Sequence, residues 1–548
     1  MRAFIPLILA LLVLTTSSYV VPAHVEEELE PCRGMYRYTF EAMMNGTVVT
    51  TIYFEAQSLD KSKLYSTWLY LPRFKPKWRI NMVEGSLVNF TKEVTEYYFY
   101  VVCRLVLTPS EKGLIRFLMK YKFKYGLLMV EPYAFFMSPL IGHSVECRGE
   151  AEVIIPSNLT IVDSSPEFFV MQKGQGRQKL KYRWGLISPQ PRRITLLLRT
   201  EWKGDVIKLK AEPFVFTVPA RYKGEALRII SIYKRALPIL EDVMHTSLRI
   251  IKIEFFVPKY FHEMGIVGFV PFNPANESMG TIHLNIFYIR AVNGVLETGA
   301  VHELVHHMLW KAGISPYDLL WIHEGLAEYL SLKIVTMIDE NGTFREGVEW
   351  RRRLLESLIK ERNFTDLSFV QNWKPGQPID DILMYYAASF YIFNTLGELY
   401  GGLELYSRFF EYLRSRRVQL ASTTAFMMYL SDVVGREVIE LFDRWGFSIV
   451  DIREIMYNLE LCEEFLKYSY PLSPLREVCN KLIEGTRSAL ERDRYEEALN
   501  LSRVACYVAI VDVVVRYVLA VVVLLVTWMC YTRGRKRGKL IVLKESNI

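Results

Sequence analysis

His302-Glu303-Leu304-Val305-His306 constrains this chain more than any other stretch of its 548 residues. Apolar residues around it recur at helical spacing (Leu296, Ala300, Leu304, Leu309), and Gly313 closes the run. Positions four apart on a helix lie one turn apart on the same face, so His302 and His306 can turn both imidazoles toward one zinc ion. Glu303 lies beside them, placed to act on a water rather than on the metal. A hydrolytic zinc site takes three protein ligands and leaves one position open. Glu324, with seventeen residues between it and His306, is the natural third ligand. It opens a second helical pattern (Trp321, Glu324, Leu326, Ala327, Leu330) that can fold back antiparallel through the turn at Gly313 to Pro316. Glu328 follows one turn later on the same face, which suits a carboxylate holding the other N–H of a ligand histidine. His307 and His323 read as ordinary polar surface or cleft residues. The expected cofactor is one Zn²⁺ per chain.

HELVHH followed by WIHEGLAEY resembles the gluzincin zinc metallopeptidases (the peptidase MA-like group), in particular their aminopeptidase N branch. The family pattern is H-E-x-x-H, eighteen residues, then Glu within W-x-N-E-G-F-A. Here the interval is seventeen, and His323 stands where the family has Asn. The resemblance implies a thermolysin-like catalytic domain preceded by a β domain, and hydrolysis of peptide bonds in peptide or protein substrates. It also implies a tyrosine that donates to the oxyanion, from a Y-x-K-G-[AS] helix about sixty residues past the third ligand. Tyr385, sixty-one residues after Glu324 in MYYAASF, is the preferred match, with Tyr386 as the alternate.

The branch also carries G-A-M-E-N, whose Glu binds the free α-amine of the substrate. Pro274-Ala275-Asn276-Glu277-Ser278-Met279-Gly280 aligns with that motif and the W-G after it, without a gap, which makes Glu277 the candidate amine anchor. Asn276 is itself a glycosylation sequon. Either that sequon is unused or the aminopeptidase reading gives way.

Both ends of the chain point to a membrane. Residues 1–23 have a signal-peptide layout, with an uncleaved anchor as the alternative. Val504 to Tyr531 is strongly apolar and is followed at once by RGRKRGK. A full span must take in Arg516 and can extend to Asp512; the two are four apart and can pair, or they can sit at the outer interface with Arg516 snorkelling. The basic cluster after the span predicts a cytoplasmic C-terminus and an extracytoplasmic body. The tail after Thr532 carries six Lys/Arg and one Glu, so it holds +5 of the formal net charge of +7. The body is near neutral, with no basic patch to suggest nucleic acid. Seven Asn-x-Ser/Thr sequons (Asn45, Asn89, Asn158, Asn276, Asn341, Asn363, Asn500) predict a glycosylated, exported body. Among the 7 cysteines, Cys462 with Cys479 and Cys103 with Cys147 are candidate pairs, with Cys32 left over and free buried thiols as the alternative.

The chain is therefore expected to be an α+β multidomain protein. Residues 24–219 alternate as strands, including a hairpin around Asn45-Gly46, and predict a β-sandwich of eight or more strands. Residues 220–400 predict the catalytic domain, with a strand over Thr281–Ile289; the resemblance implies that such a strand edges the cleft and can take up an extended peptide by β-addition. A helical domain and stalk follow over 401–503, with Ser488 to Ser502 as the stalk. A transmembrane helix at 504–531 and a basic tail at 532–548 complete the chain. The sequence supports a membrane-anchored zinc peptidase, with His302, His306 and Glu324 as ligands and Glu303 as base. Two rivals are an endopeptidase that processes surface proteins, and an inactive relative kept as a surface binding domain.

Overall fold

The computed structural model describes residues 29–545, apart from 58, 73–76, 95–99, 187–191, 274, 276, 363–364, 377–380 and 470–472. The expected signal peptide lies outside the described residues. The architecture is α+β, with mixed sheets and a largely helical second half.

Three sheets form the N-terminal part. A seven-stranded sheet runs in the order Val170–Gly174, Arg177–Leu186, Arg148–Pro156, Met35–Ala42, Val48–Gln57, Leu114–Phe123, Arg79–Glu84. The hairpin expected at Asn45-Gly46 joins its fourth and fifth strands, with Ala42 opposite Val48 and Gly46 at φ +86°. Two four-stranded sheets complete this part, and alternate side chains from all three, among them Phe40, Phe117, Leu69, Leu105, Phe136 and Leu196, meet in one apolar core. Cys103 and Cys147 are not paired: with Cys32 they are free, buried thiols, and the Cys147 thiol donates to the Cys32 carbonyl at 3.1 Å.

A five-stranded sheet carries the second core. Its order is Val206–Ala211, Phe214–Pro219, Ile251–Phe256, Ile282–Asn285, Gly268–Phe269. The first two strands, expected within the N-terminal β domain, belong here: Phe214–Thr217 pairs in parallel with Ile251–Glu254. Phe214, Phe216 and Val218 are buried in the same core as the helices that follow. The strand expected over Thr281–Ile289 stops at Asn285, whose side chain accepts from Phe287 N and starts a short 3₁₀ turn over Ile286–Arg290. That strand is not the edge. Gly268–Phe269 pairs antiparallel outside it.

The helices are α1 (Lys223–Met244), α2 (Val295–Lys311), α3 (Leu320–Met337), α4 (Arg345–Arg362), α5 (Ile382–Tyr400), α6 (Leu403–Arg416), α7 (Thr423–Val434), α8 (Glu437–Arg444), α9 (Ile452–Lys467), α10 (Pro474–Glu491) and α11 (Tyr495–Glu545). Helices α2 and α3 are buried on nearly every side, the pattern of central rather than surface helices. Gly313, at φ +94°, turns the chain between them, and its carbonyl accepts from Leu420 N. Gly325 lets α5 come close to α3: a Cβ there would lie 2.5 Å from the Phe393 ring and 2.8 Å from the Ser389 carbonyl.

Ser488 to Ser502 is not an extended stalk. Its second half opens α11, which packs along α9 and α10 and buries a stripe of small residues, Ala498, Ser502, Ala505 and Ala509. The charged residues that suggested a stalk take part in the packing: Glu496 accepts from Thr424, and Asp493 accepts from Tyr429. Cys462 and Cys479 face each other in this unit with their sulfurs 3.2 Å apart. Asp512 and Arg516 do not pair with each other: the carboxylate accepts from Ser469 and Ser473, and the guanidinium donates to the Tyr468 carbonyl. Beyond them the apolar side chains of α11 are exposed as far as Tyr531, and by length and composition this one helix can cross a membrane.

The packed α9–α11 unit makes a prediction. Ala505 is fully buried, and its carbonyl sits 3.4 Å from the Cys479 sulfur. Ala505→Leu is expected to cost about 1–3 kcal/mol through overpacking, read as a lower melting temperature of the detergent-solubilised full chain. An unchanged melting temperature would mean that this segment is not packed as described.

Candidate metal centre

The start of α2 is built to hold its register. Gly294 caps it at φ +104°, where a Cβ would lie 2.2 Å from the Phe344 carbonyl oxygen. Glu297, almost fully buried, accepts from Gly294 N at 2.7 Å and pairs with Arg228 of α1. From that anchored end, His302 and His306 follow on one face and Glu324 meets them from α3. One ligand atom from each of the three residues lies within 4.8 Å of the others, the only group of this kind among the described residues. His302 Nε2 is 3.1 Å from Glu324 Oε2, and His306 Nε2 is 3.5 Å from the same oxygen. Two imidazole nitrogens and one carboxylate converging in this way match the borderline donor set that Zn²⁺ prefers.

The electrostatics of the pocket favour a positive charge at that point. Burial would lower His302, but hydrogen bonds to Glu324 and Glu328 outweigh it and lift the ring to about 10. Burial would raise Glu324, but His306 and His302 hold it below the ordinary carboxylate value. A divalent cation satisfies the same converging lone pairs that draw a proton onto His302.

Each histidine has a partner on its far side. Glu328 Oε2 lies 3.4 Å from His302 Nδ1, on the side expected from the sequence. His306 Nδ1 lies 2.7 Å from His323 Nδ1, with the two rings stacked at 4.8 Å. His323, expected as surface or cleft, is fully buried, and burial pushes it well below its usual value while lowering His306 to about 4. Both rings are therefore neutral, and one donates to the other. For His306 Nε2 to present a lone pair to a metal, Nδ1 must carry the hydrogen, and His323 Nδ1 is placed to accept it. The sequence signal for this contact was the residue before Glu324.

Glu303, within electrostatic reach of His302 and Glu324, also meets the sheet edge. A Cβ on Gly268 would lie 2.8 Å from Glu303 Cγ and 3.1 Å from Oε1, so the edge strand can approach only because position 268 is glycine. Burial pushes the Glu303 carboxyl up to about 8. Tyr386, not Tyr385, comes to the site: its ring centroid is 6.5 Å from that of His302. Burial, followed by the nearby Glu324 and Glu303, raises its hydroxyl well above the usual value, so it stays protonated. Tyr385 is turned instead toward Phe369 and Trp373, at 5.0 and 5.5 Å. Successive residues on a helix lie about 100° apart, so spacing from Glu324 cannot tell the two faces apart. Glu277 is exposed, at φ +47°, in the turn of a small hairpin between Phe272–Asn273 and Ser278–Met279.

No protein-family model and no curated protein matches the chain. Among solved structures, the chain is similar to yeast LTA4 hydrolase in complex with bestatin, at a TM-score of 0.34 and 12% identity over 84% of this chain and 77% of that one. It is also similar to Legionella pneumophila aminopeptidase A in complex with aspartic acid, at a TM-score of 0.30 and 12% identity over 76% of this chain and 50% of that one. The chemistry of the site is accordingly derived from its own residues.

The His306–His323 contact is testable. His323→Phe fills the space without an acceptor and is expected to weaken zinc binding by roughly 10–100-fold, whereas His323→Asn, which can still accept, should retain most of it. Competition with a chromophoric chelator measures both, and equal affinity in His323→Phe and wild type would exclude the contact as support for the ligand.

Proposed function

We propose that this chain is a membrane-anchored, extracytoplasmic, zinc-dependent peptidase. The observation that carries the reading is the convergence of His302, His306 and Glu324 in a buried pocket with Glu303 beside them. Those three residues would hold Zn²⁺, which when bound supplies Lewis acidity to the scissile carbonyl and to a water.

The residues of the chain would do the rest. Glu303 accepts a proton from the attacking water and passes it to the amide nitrogen as the C–N bond breaks, giving a carboxylate and an amine. A carboxyl held near 8 by burial exchanges a proton readily around neutral pH. The Tyr386 hydroxyl, kept protonated, donates to the oxyanion that develops on the carbonyl oxygen. Glu328 and His323 hold the outer nitrogens of His302 and His306. The Gly268–Phe269 edge offers backbone groups along which an extended peptide would lie.

Two forms of this activity differ at Glu277. An aminopeptidase needs a carboxylate to hold the free amine of the substrate, and Glu277 lies exposed in a hairpin turn while the strand against Glu303 is Gly268–Phe269. That placement favours the endopeptidase form. The membrane anchor would be the exposed apolar length of α11, with the basic residues after it on the cytoplasmic side. The five sequon asparagines that fall among the described residues (Asn45, Asn89, Asn158, Asn341, Asn500) are all exposed, as acceptors on an exported body must be.

The test is turnover of paired peptides, identical except for a free or acetylated N-terminus, with zinc measured on the same sample. Cleavage of both is expected; cleavage of the free peptide alone would restore the aminopeptidase form, and bound zinc with neither cut would reject the enzyme. Glu303→Gln should abolish turnover and keep zinc, while Glu324→Ala should lose zinc. Tyr386→Phe should lower kcat by roughly 10²–10³-fold, with Tyr385→Phe near wild type; the reverse order would return the oxyanion role to Tyr385.

A further inference from the structure

Three arginines follow one another on α4 and do different things. Arg352 pairs with Glu349 at 3.5 Å, and Arg353 donates to the Glu349 carbonyl at 3.4 Å. Arg351 turns inward. It lies at helical spacing between Val348 and Leu355, the buried stripe of this helix.

There its guanidinium meets Glu328 fork to fork, with Nε 2.7 Å from Oε1 and Nη2 3.0 Å from Oε2. Only 3% of the Glu328 side chain is exposed, and the same Oε2 is the atom 3.4 Å from His302 Nδ1. The guanidinium carbon also lies 6.0 Å from the centroid of the Tyr386 ring. One cation thus touches both flanks of the site, behind a candidate ligand and beside the candidate oxyanion donor.

We propose that Arg351 is a positioning residue for the metal centre: its two-pronged grip fixes the Glu328 carboxylate where it accepts the His302 Nδ1 hydrogen, so that His302 Nε2 keeps its lone pair for the metal. The proposal rests on the zinc reading above and extends it to a third helix. A buried carboxylate without a cation either takes up a proton or turns toward water. A Glu328 carboxylate free to rotate would release the imidazole. A lysine would supply the charge, but as a point charge it would not fix the plane of the carboxylate.

A double-mutant cycle on the full-length chain tests this, with zinc dissociation constants from chelator competition and folding from circular dichroism melts. Arg351→Met should weaken zinc binding roughly 10–100-fold, and Arg351→Lys should also weaken it measurably. In a Glu328→Gln background the amide oxygen accepts the His302 hydrogen without a counter-charge, so adding Arg351→Met should change the affinity by no more than about twofold, the scatter of independent sites. Equal affinity in Arg351→Met and wild type, or the same loss in both backgrounds, would overturn the proposal and leave Arg351 as a packing residue of α4. If Arg351→Met alone does not fold, Arg351→Lys against wild type decides: an unchanged affinity overturns the proposal. A wild-type chain that binds no zinc overturns the zinc reading and this inference together, whereas zinc bound with Arg351 indifferent overturns the inference alone.

Discussion

The site depends on placing Glu324 against His302 and His306 between two largely buried helices. Polar and ionisable groups taken out of water must be paired or they destabilise the fold. That requirement explains much of the surrounding structure. Glu328 answers His302, Arg351 answers Glu328, and His323 answers His306. Glu297 ties the start of α2 to Arg228 and to its own cap. The glycines at 294, 313 and 325 allow the chain to turn or the helices to approach where a side chain would collide.

The parts legible in the sequence were those whose signal is local and periodic. Two histidines four apart on a helical pattern specify one face, and Glu324 on the next helical pattern is the carboxylate that meets them. The alternation around Asn45-Gly46 specified its hairpin for the same reason. The misreadings came where neighbours distant in sequence decide. His323 is polar in composition but is fully buried, like Trp321 and Ile322 before it. Arg351 lay inside a run of three arginines, and only its position between Val348 and Leu355 distinguishes it. Tyr385 and Tyr386 differ by one step around a helix, which no spacing rule resolves.

Short edge elements were the least legible. Gly268–Phe269 is two residues long and carries no alternation, so periodicity does not reveal it as the edge. The segment over 488–502 was read by its charges, although the residues that decide its packing are the small ones, Ala498 and Ser502, with Ala505 just beyond. Small residues at helical spacing bring α11 against α9 and α10 and carry the apolar length of α11 away from a packed unit rather than from a flexible linker.

The measurement that tests the central claim most directly is zinc K-edge X-ray absorption on the full-length chain, with metal content determined on the same preparation. The account requires one zinc per chain, with two imidazole nitrogens and carboxylate oxygen in the first shell, and with the imidazole contribution reduced in His302→Ala and in His306→Ala. A chain that binds no zinc, or zinc held by sulfur with the histidine variants indistinguishable from wild type, would contradict it.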